Sequence, residues 1–324
     1  MLSRRRFIAS IGALGMPLLF GACNRSESPL RIARHLWPGY EFMFLAQREG
    51  WFAKQHIVLV ETDSATKSIE LLASGQIDGA ALTLDEVLGA RARGLPLTAV
   101  LIFDISLGAD VLLGRPGIET MAQLKDKRIA YEPSAVGALM LYKALEKAGL
   151  RPNDVKTIPV TFDRHWQVWH GREIDALITF EPVSSQLEGE GASRLFDSAD
   201  IPDTIFDVLA LTPEALEYKS DALRHLIAGH FQGIRNFRKN PKDTAYRLAD
   251  RFKLPAKTVI SAYAGLELPG IIRNRKLLQG DNAPLVQTAK ELSVFLYHVG
   301  IMHKPLHDYS SLASAEFLPR EDIK

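Results

Sequence analysis

Carboxylates gather where this chain changes direction. Taking the last residue of each predicted strand and the first of each predicted helix gives Trp37, Tyr40, Glu41, Asp63, Ser64, Asp85, Glu86, Asp104, Glu132, Ser134, Asp163, Arg164, His165 and Glu181. Acids beside the rings of Trp37 and Tyr40 suit a cationic or amine-bearing ligand, held by charge pairing and by aromatic faces. An oxyanion would need donors instead, and the sequence offers helix N-termini at Ser64 and Ser134 with Arg164 and Lys67 near them. Setting Asp85, Glu132 and Glu181 round a buried anion would place like charges together in a low dielectric, so the amine-bearing ligand is the better fit.

Part of this acid set has a structural use. Thr83-Leu-Asp-Glu86 has the spacing of a capping box, in which Glu86 reaches back to the first turn. Asp63, Ser134 and Asp163 are also suited to capping, and acids there complement the helix dipole. Glu132 and Glu181 are different, because each stands between an apolar strand and a proline, where the chain has left the sheet. The ligand-binding set expected from sequence is therefore Trp37, Tyr40, Glu41, Asp85, Asp104, Glu132, Asp163 and Glu181.

Catalytic and metal motifs do not emerge. There is no nucleophile elbow, no Cys/His pair and no Gly-rich phosphate loop. His165 and His170 lack the i,i+4 spacing that aims two ligands from one helical face. No cofactor, metal or catalytic residue is expected. With 39 basic against 38 acidic residues, nothing in the charge favours nucleic acid. An apolar content of 47% suits a soluble globular domain of ordinary type.

The elements that must position these residues alternate strand and helix. Leu30 to Arg34 alternates apolar and polar, stops at Pro38-Gly39, and feeds a helix that closes at Gly50. Ile57–Glu61, Asp78–Thr83 and Leu97–Phe103 read as further strands, the last without polar alternation, as befits a strand covered on both faces. Ala109 to Arg115 is extended, after which the rhythm restarts at Arg128–Tyr131, Val155–Val160 and Ala176–Phe180. Phe206–Thr212 is again extended, and helices follow to the C-terminus. Two sequential domains would also satisfy this order.

The first 29 residues read as an address. A basic head, Arg4-Arg5-Arg6, precedes an apolar run from Phe7 to Phe20, of signal-peptide length and short for a membrane span. Ser3-Arg-Arg-Arg-Phe-Ile8 is similar to a twin-arginine export motif and equally serves as a charged n-region for general secretion. Leu19-Phe-Gly-Ala-Cys23 resembles a bacterial lipobox, with Phe20 where Leu is usual, and implies lipidation of Cys23, the only cysteine in the chain. Residues 1–22 are then the signal and 23–29 a tether.

Trp37-Pro-Gly-Tyr-Glu41 before a helix ending in Glu49-Gly-Trp-Phe52, with Leu71-Leu-Ala-Ser-Gly-Gln-Ile-Asp-Gly-Ala80, Leu124–Ala130 and Gly171–Ala176 ahead of Phe180-Glu-Pro182, resembles the substrate-binding proteins of ABC importers of the nitrate/sulfonate/taurine and thiamine-precursor class. The resemblance implies an α/β, two-lobed type II periplasmic-binding fold, each lobe a mainly parallel sheet flanked by helices, joined by two crossover strands. Lobe one would comprise 30–113 plus 208–324 and lobe two 114–207, hinged near Val111–Leu113 and Val208–Ala210. It further implies a monomer held to the membrane by a lipid, in the periplasm or at the cell surface, that captures a small solute by lobe closure and delivers it to an ABC permease. The alternative on the same fold is a thiamine-pyrimidine synthase, which uses a cofactor-bound lysine and a cysteine-rich motif; with Cys23 alone, this chain lacks the latter.

Overall fold

The computed structural model describes residues 28–320 apart from 53, 55, 134 and 135. Eleven strands form two sheets: β1 Leu30–Arg34, β2 Ile57–Glu61, β3 Gly79–Thr83, β4 Thr98–Ser106, β5 Val111–Gly114, β6 Arg128–Tyr131, β7 Lys156–Pro159, β8 Ala176–Thr179, β9 Ser193–Asp197, β10 Phe206–Leu211 and β11 Leu266–Glu267. The first sheet has the order β11-β4-β10-β3-β1-β2 and the second β7-β6-β8-β5-β9. β1 pairs in parallel with β2 and β3, whereas β10 lies antiparallel between β3 and β4. β1 to β4 therefore all point one way. In the second sheet β6 is parallel to β7 and β8, and β5 runs antiparallel between β8 and β9.

β11 is a third, two-residue reversed strand at the edge of β4, but β5 and β10 each follow a passage between sheets. The chain leaves the first sheet after β4, crosses through 107–110 and enters the second as β5; it returns through 201–205 and enters the first as β10. The crossings thus fall a few residues upstream of the expected hinge positions. Val111–Leu113 pairs with β8 and β9 inside the second sheet, and Val208–Ala210 lies in the middle of β10. The first crossing is strapped down: Ser198 Oγ accepts from the Gly108 N–H at 2.6 Å and bonds Ser106 Oγ at 2.7 Å, and the Leu107 N–H donates to Gly265 at 2.8 Å.

Helices cover both faces of the first sheet, so β3, β4 and β10 are buried from end to end. β4 carries a bulge at Phe103, where its register to β10 shifts. Asn274, on helix Ile271–Leu278, repairs it: its Oδ1 accepts from the Ile102 N–H at 2.7 Å and its Nδ2 donates to the Ile102 carbonyl at 3.0 Å. Sequence reading gave neither that helix nor β9, because both are largely polar outside a few buried positions. His230 is an anomaly of the core. Its ring lies against Phe42, Phe103 and Phe231 with no hydrogen-bond partner on either nitrogen, and burial drives its pKa down to about 3. Among the described residues no helix is long and apolar enough to cross a membrane; Cys23, the signal segment and the tether up to residue 27 lie outside them.

Candidate ligand-binding site

A cavity lies at the carboxyl ends of the parallel strands of both sheets, the position where ligands bind in open α/β folds. His35 and Trp37 come from the end of β1, Ala65 from the helix after β2, Thr83 and Glu86 from the end of β3, and Asp110 from the first crossing. Glu132 follows β6, Val136 opens the next helix, Phe180 follows β8 and Asp207 stands at the start of β10. The cavity measures about 20 Å³, space for about one water. Larger hollows, up to about 640 Å³, lie on the surface near the C-terminal segment, away from this convergence.

Side chains from the two sheets meet here. Thr66 Oγ1, in the first turn of helix Ala65–Ala73, donates to Glu132 Oε1 at 2.7 Å. Trp37 and Phe180 meet edge to face with centroids 5.3 Å apart, and Phe162 stacks on Phe180 at 4.1 Å. This describes a closed arrangement, since the Thr66–Glu132 and Trp37–Phe180 contacts would be lost if the sheets swung apart, while the Phe162 stack holds Phe180 within the second lobe.

The turn that follows β1 is built around two buried acids. Trp37 Nε1 donates to both oxygens of Asp104, at 3.0 and 3.3 Å, and the Tyr40 hydroxyl donates to Asp207 Oδ1. A Cβ at position 39 would overlap the Asp104 carboxylate, which explains the glycine of Trp-Pro-Gly-Tyr by close approach. Tyr263 Oη donates to the Pro38 carbonyl at 2.9 Å and pins the turn from outside.

The electrostatics are acidic. Burial pushes the Asp110 carboxyl up to about 7 and the Asp104 carboxyl up to about 8. Burial, followed by the charges of Asp104 and Asp110, holds Asp207 well above the usual carboxylate range. Glu86 is likewise raised, by burial and then Asp85; Glu132 is raised by burial, against hydrogen bonds from Thr66 and Phe162. His35 is driven down to about 4 by burial and so is a neutral ring at neutral pH. Among the described residues, no lysine or arginine lines the cavity.

Of the residues expected from sequence, Trp37 and Glu132 line the cavity. Tyr40 and Asp104 lie just behind its wall, orienting Asp207 and Trp37. Glu41 does not reach it. As the first residue of helix Glu41–Arg48 it turns to the far side, where Arg34 Nη1 at 2.7 Å and Arg251 Nε at 3.0 Å enclose it. Asp163 is solvent-exposed on the turn Phe162–Arg164. Asp85 is buried beside Glu86 without lining the cavity, and its pKa rises to about 6 through burial. Glu181 is buried, accepts from Ser185 Oγ at 2.6 Å, and leaves the cavity wall to its neighbour Phe180.

Glu86 has both roles that the sequence offered. Its Oε2 accepts from the Thr83 N–H at 2.8 Å, closing the capping box, while its side chain borders the cavity. Ser64 caps its helix through the Lys67 N–H, at 3.3 Å. His165 is a satisfied core histidine, bonded to Thr179 Oγ1 and the Val160 carbonyl at 3.1 and 3.3 Å. Arg164 and Lys67 are exposed, and Ser134 lies outside the described residues. Among the described residues, no group of three or more His, Cys, Asp or Glu is arranged to hold a metal ion.

A family model described as NMT1/THI5 like matches residues 37–244. The chain belongs to the NMT1/THI5-like family. Proteins similar to this chain include both a synthase and a binding protein. It is 30% identical over 120 residues to a 4-amino-5-hydroxymethyl-2-methylpyrimidine phosphate synthase of Saccharomyces cerevisiae, a stretch that is 36% of this chain and 35% of the synthase, so the chain spans about a third of the length of that relative. It is 25% identical to a putative aliphatic sulfonates-binding protein of Escherichia coli, across 82% of this chain and 84% of that one. Among solved structures, the alkanesulfonate-binding protein SsuA of Xanthomonas axonopodis pv. citri, bound to MOPS, superposes with a TM-score of 0.76 at 19% identity over 88% of this chain and 98% of that one. This NMT1/THI5-like chain therefore has the two-lobed periplasmic-binding-protein fold.

Proposed function

We propose that this chain is the substrate-binding component of an ABC importer and captures a small amine-bearing solute, of aminopyrimidine or alkylamine type, between its two lobes. Glu86, Asp110, Glu132 and Asp207 converge with Trp37, His35 and Phe180 on one cavity that, among the described residues, has no lysine or arginine in its wall, and this observation carries the reading. A buried sulfonate or nitrate would meet these acids without a compensating cation. A cation would be paired by them and faced by the rings. The lobes divide at the crossings 107–110 and 201–205; they part from the present arrangement, whose cavity holds about one water, to admit the solute, which then bridges them in the form the permease receives.

The partners follow from that role: a small solute, a permease in the membrane, and the membrane itself through a lipid on Cys23. The chain acts as a monomer in the periplasm or on the cell surface. The synthase relatives supply a second reading, an enzyme on the same fold. The binding role is preferred because the likeness to a binding protein runs through most of the chain, whereas the synthase match is confined to 120 residues.

Calorimetry tests the charge of the solute. An aminopyrimidine or alkylamine should bind, and Glu132→Gln should weaken it. Tight binding of taurine, an alkanesulfonate or nitrate, unaffected or improved by Glu132→Gln, would refute the acidic-pocket reading.

A further inference from the structure

The acids that line the cavity are not equivalent. Glu132 uses both oxygens, Oε1 for Thr66 Oγ1 at 2.7 Å and Oε2 for the Phe162 N–H at 3.3 Å. Glu86 is tied to its own helix start through Thr83. Asp110 and Asp207 are each nearly sealed from solvent, 3% and 2% exposed, and each keeps one oxygen, Oδ2, with no hydrogen-bond partner. An unpartnered buried carboxylate oxygen is costly, and such atoms persist where a ligand supplies the missing donor.

Their placement is equally specific. Asp110 is the last residue of the first crossing, and Asp207 is the second residue of the strand that follows the second. Both are held from behind. Asp207 Oδ1 takes the Tyr40 hydroxyl, while the Asp110 N–H donates to Ser106 Oγ at 3.3 Å and its carbonyl accepts from the Ser198 N–H at 2.9 Å. The charged and titratable groups around them are Asp85 and Glu86 from the helix after β3, Asp104 from β4, Tyr40 from the turn after β1, and His35 and Glu132 in the same cavity wall, none of them a cation at neutral pH.

We propose that Asp110 Oδ2 and Asp207 Oδ2 form a two-point anchor for a planar cation carrying two N–H donors, an amidinium or a ring-protonated aminopyrimidine. The solute's charge is then read by the two chain crossings, and pairing with both draws the crossings together as the lobes close. The proposal rests on the cavity being the solute site. Without ligand the two carboxyls hold protons, because burial raises both. A bound cation takes their place, so capture releases protons.

The test uses the full chain and two probes, benzamidine and 4-amino-5-hydroxymethyl-2-methylpyrimidine, titrated by calorimetry at pH 6 in two buffers of different ionisation heat. Wild type should bind at least one of them with net proton release. Asp110→Asn and Asp207→Asn should each weaken binding at least 100-fold and remove that proton release, while Glu190→Asn at the surface changes neither. Thermal melting is the second measurement: Asn mimics the protonated acid and the unfolded aspartate ionises from about pH 4, so each variant should match wild type near pH 4 and melt progressively higher than wild type up to pH 8. The anchor is overturned if both variants bind within threefold of wild type, if they melt lower at pH 8, or if neither probe binds wild type. In that last case, binding of another solute such as taurine would leave the binding-protein role standing and remove only the anchor.

Discussion

Asp104 and Asp207 face each other in the register of β4 and β10, two buried carboxyls directly opposite across an antiparallel pair, one accepting the Trp37 indole and the other the Tyr40 hydroxyl. Like charges so placed cannot both ionise without large cost, so ionisation of either acid is held back. The bulge at Phe103 belongs to the same device, since it alters β4 just before Asp104.

That pair makes stability fall with alkali. Its folded pKa values lie above the ordinary aspartate range, with Asp104 near 8, so its contribution is fully present below about pH 4 and is lost as pH rises through 8. Asp104→Asn keeps an acceptor for Trp37 and cannot ionise. It should melt above wild type at pH 8.5, by several degrees, with the gap closing at pH 5; a constant gap across this range would show that ionisation is not the cause.

Glu41 predicts the opposite kind of result. It is fully buried between Arg34 and Arg251, whose guanidiniums both lie over the Phe44 ring, at 5.2 and 5.3 Å. Glu41→Gln leaves two cations facing a neutral amide and should cost about 3–5 kcal/mol in chemical denaturation. Solute affinity per folded molecule should stay at the wild-type value; a drop in affinity with little loss of stability would return Glu41 to the binding site.

Thr66→Val removes a tie between the lobes while keeping the side chain's shape. The lost bond to Glu132 is a hydrogen bond to a carboxylate, worth about 1.5–3 kcal/mol. Small-angle scattering of the ligand-free variant should give a larger radius of gyration than wild type, and solute should bind roughly tenfold more weakly or worse. Identical scattering profiles would mean that this bond does not hold the closed form.

His230 sets an acid limit. Its folded pKa, near 3, lies below the ordinary histidine value of 6.5, so its contribution is present above pH 6.5 and lost as pH falls through 3. His230→Leu removes a buried imidazole with no partner and should shift the acid-unfolding midpoint, followed by circular dichroism, to lower pH. An unmoved midpoint would place acid sensitivity elsewhere, with His35 and His165 the next residues to vary.

Cys23→Ala should release the protein from the membrane fraction, because a lipid anchor holds by buried CH₂ groups. Retention of the variant there, with no lipid mass on wild-type Cys23, would dispose of the tether.

Much of the fold was legible because parallel strands covered on both faces leave unbroken apolar runs, as in Ala99–Phe103, and because Trp37-Pro-Gly-Tyr marks a strand ending at a turn. The site was half legible. Scanning the carboxyl ends of strands found Trp37 and Glu132, but it placed Glu181 where Phe180 stands and could not tell that Glu41 rotates away on its helix. Asp207 escaped because β10 runs against its neighbours, so its beginning, not its end, reaches the cavity. Asp110 escaped because it lies in an irregular crossing with no periodic pattern to mark it.

The central position of β10 also governs when the molecule can be assembled. By residue 197 a growing chain has all five strands of the second sheet, yet β3 and β4 still lack the strand that joins them. Until Leu211 is available they cannot be brought into one hydrogen-bonded layer, as they lie two strand spacings, about 10 Å, apart in the finished sheet. The lobe made second in sequence is thus the first able to fold. A chain stopped between residues 197 and 206 would carry one complete sheet beside β3 and β4, each with an edge still waiting for β10.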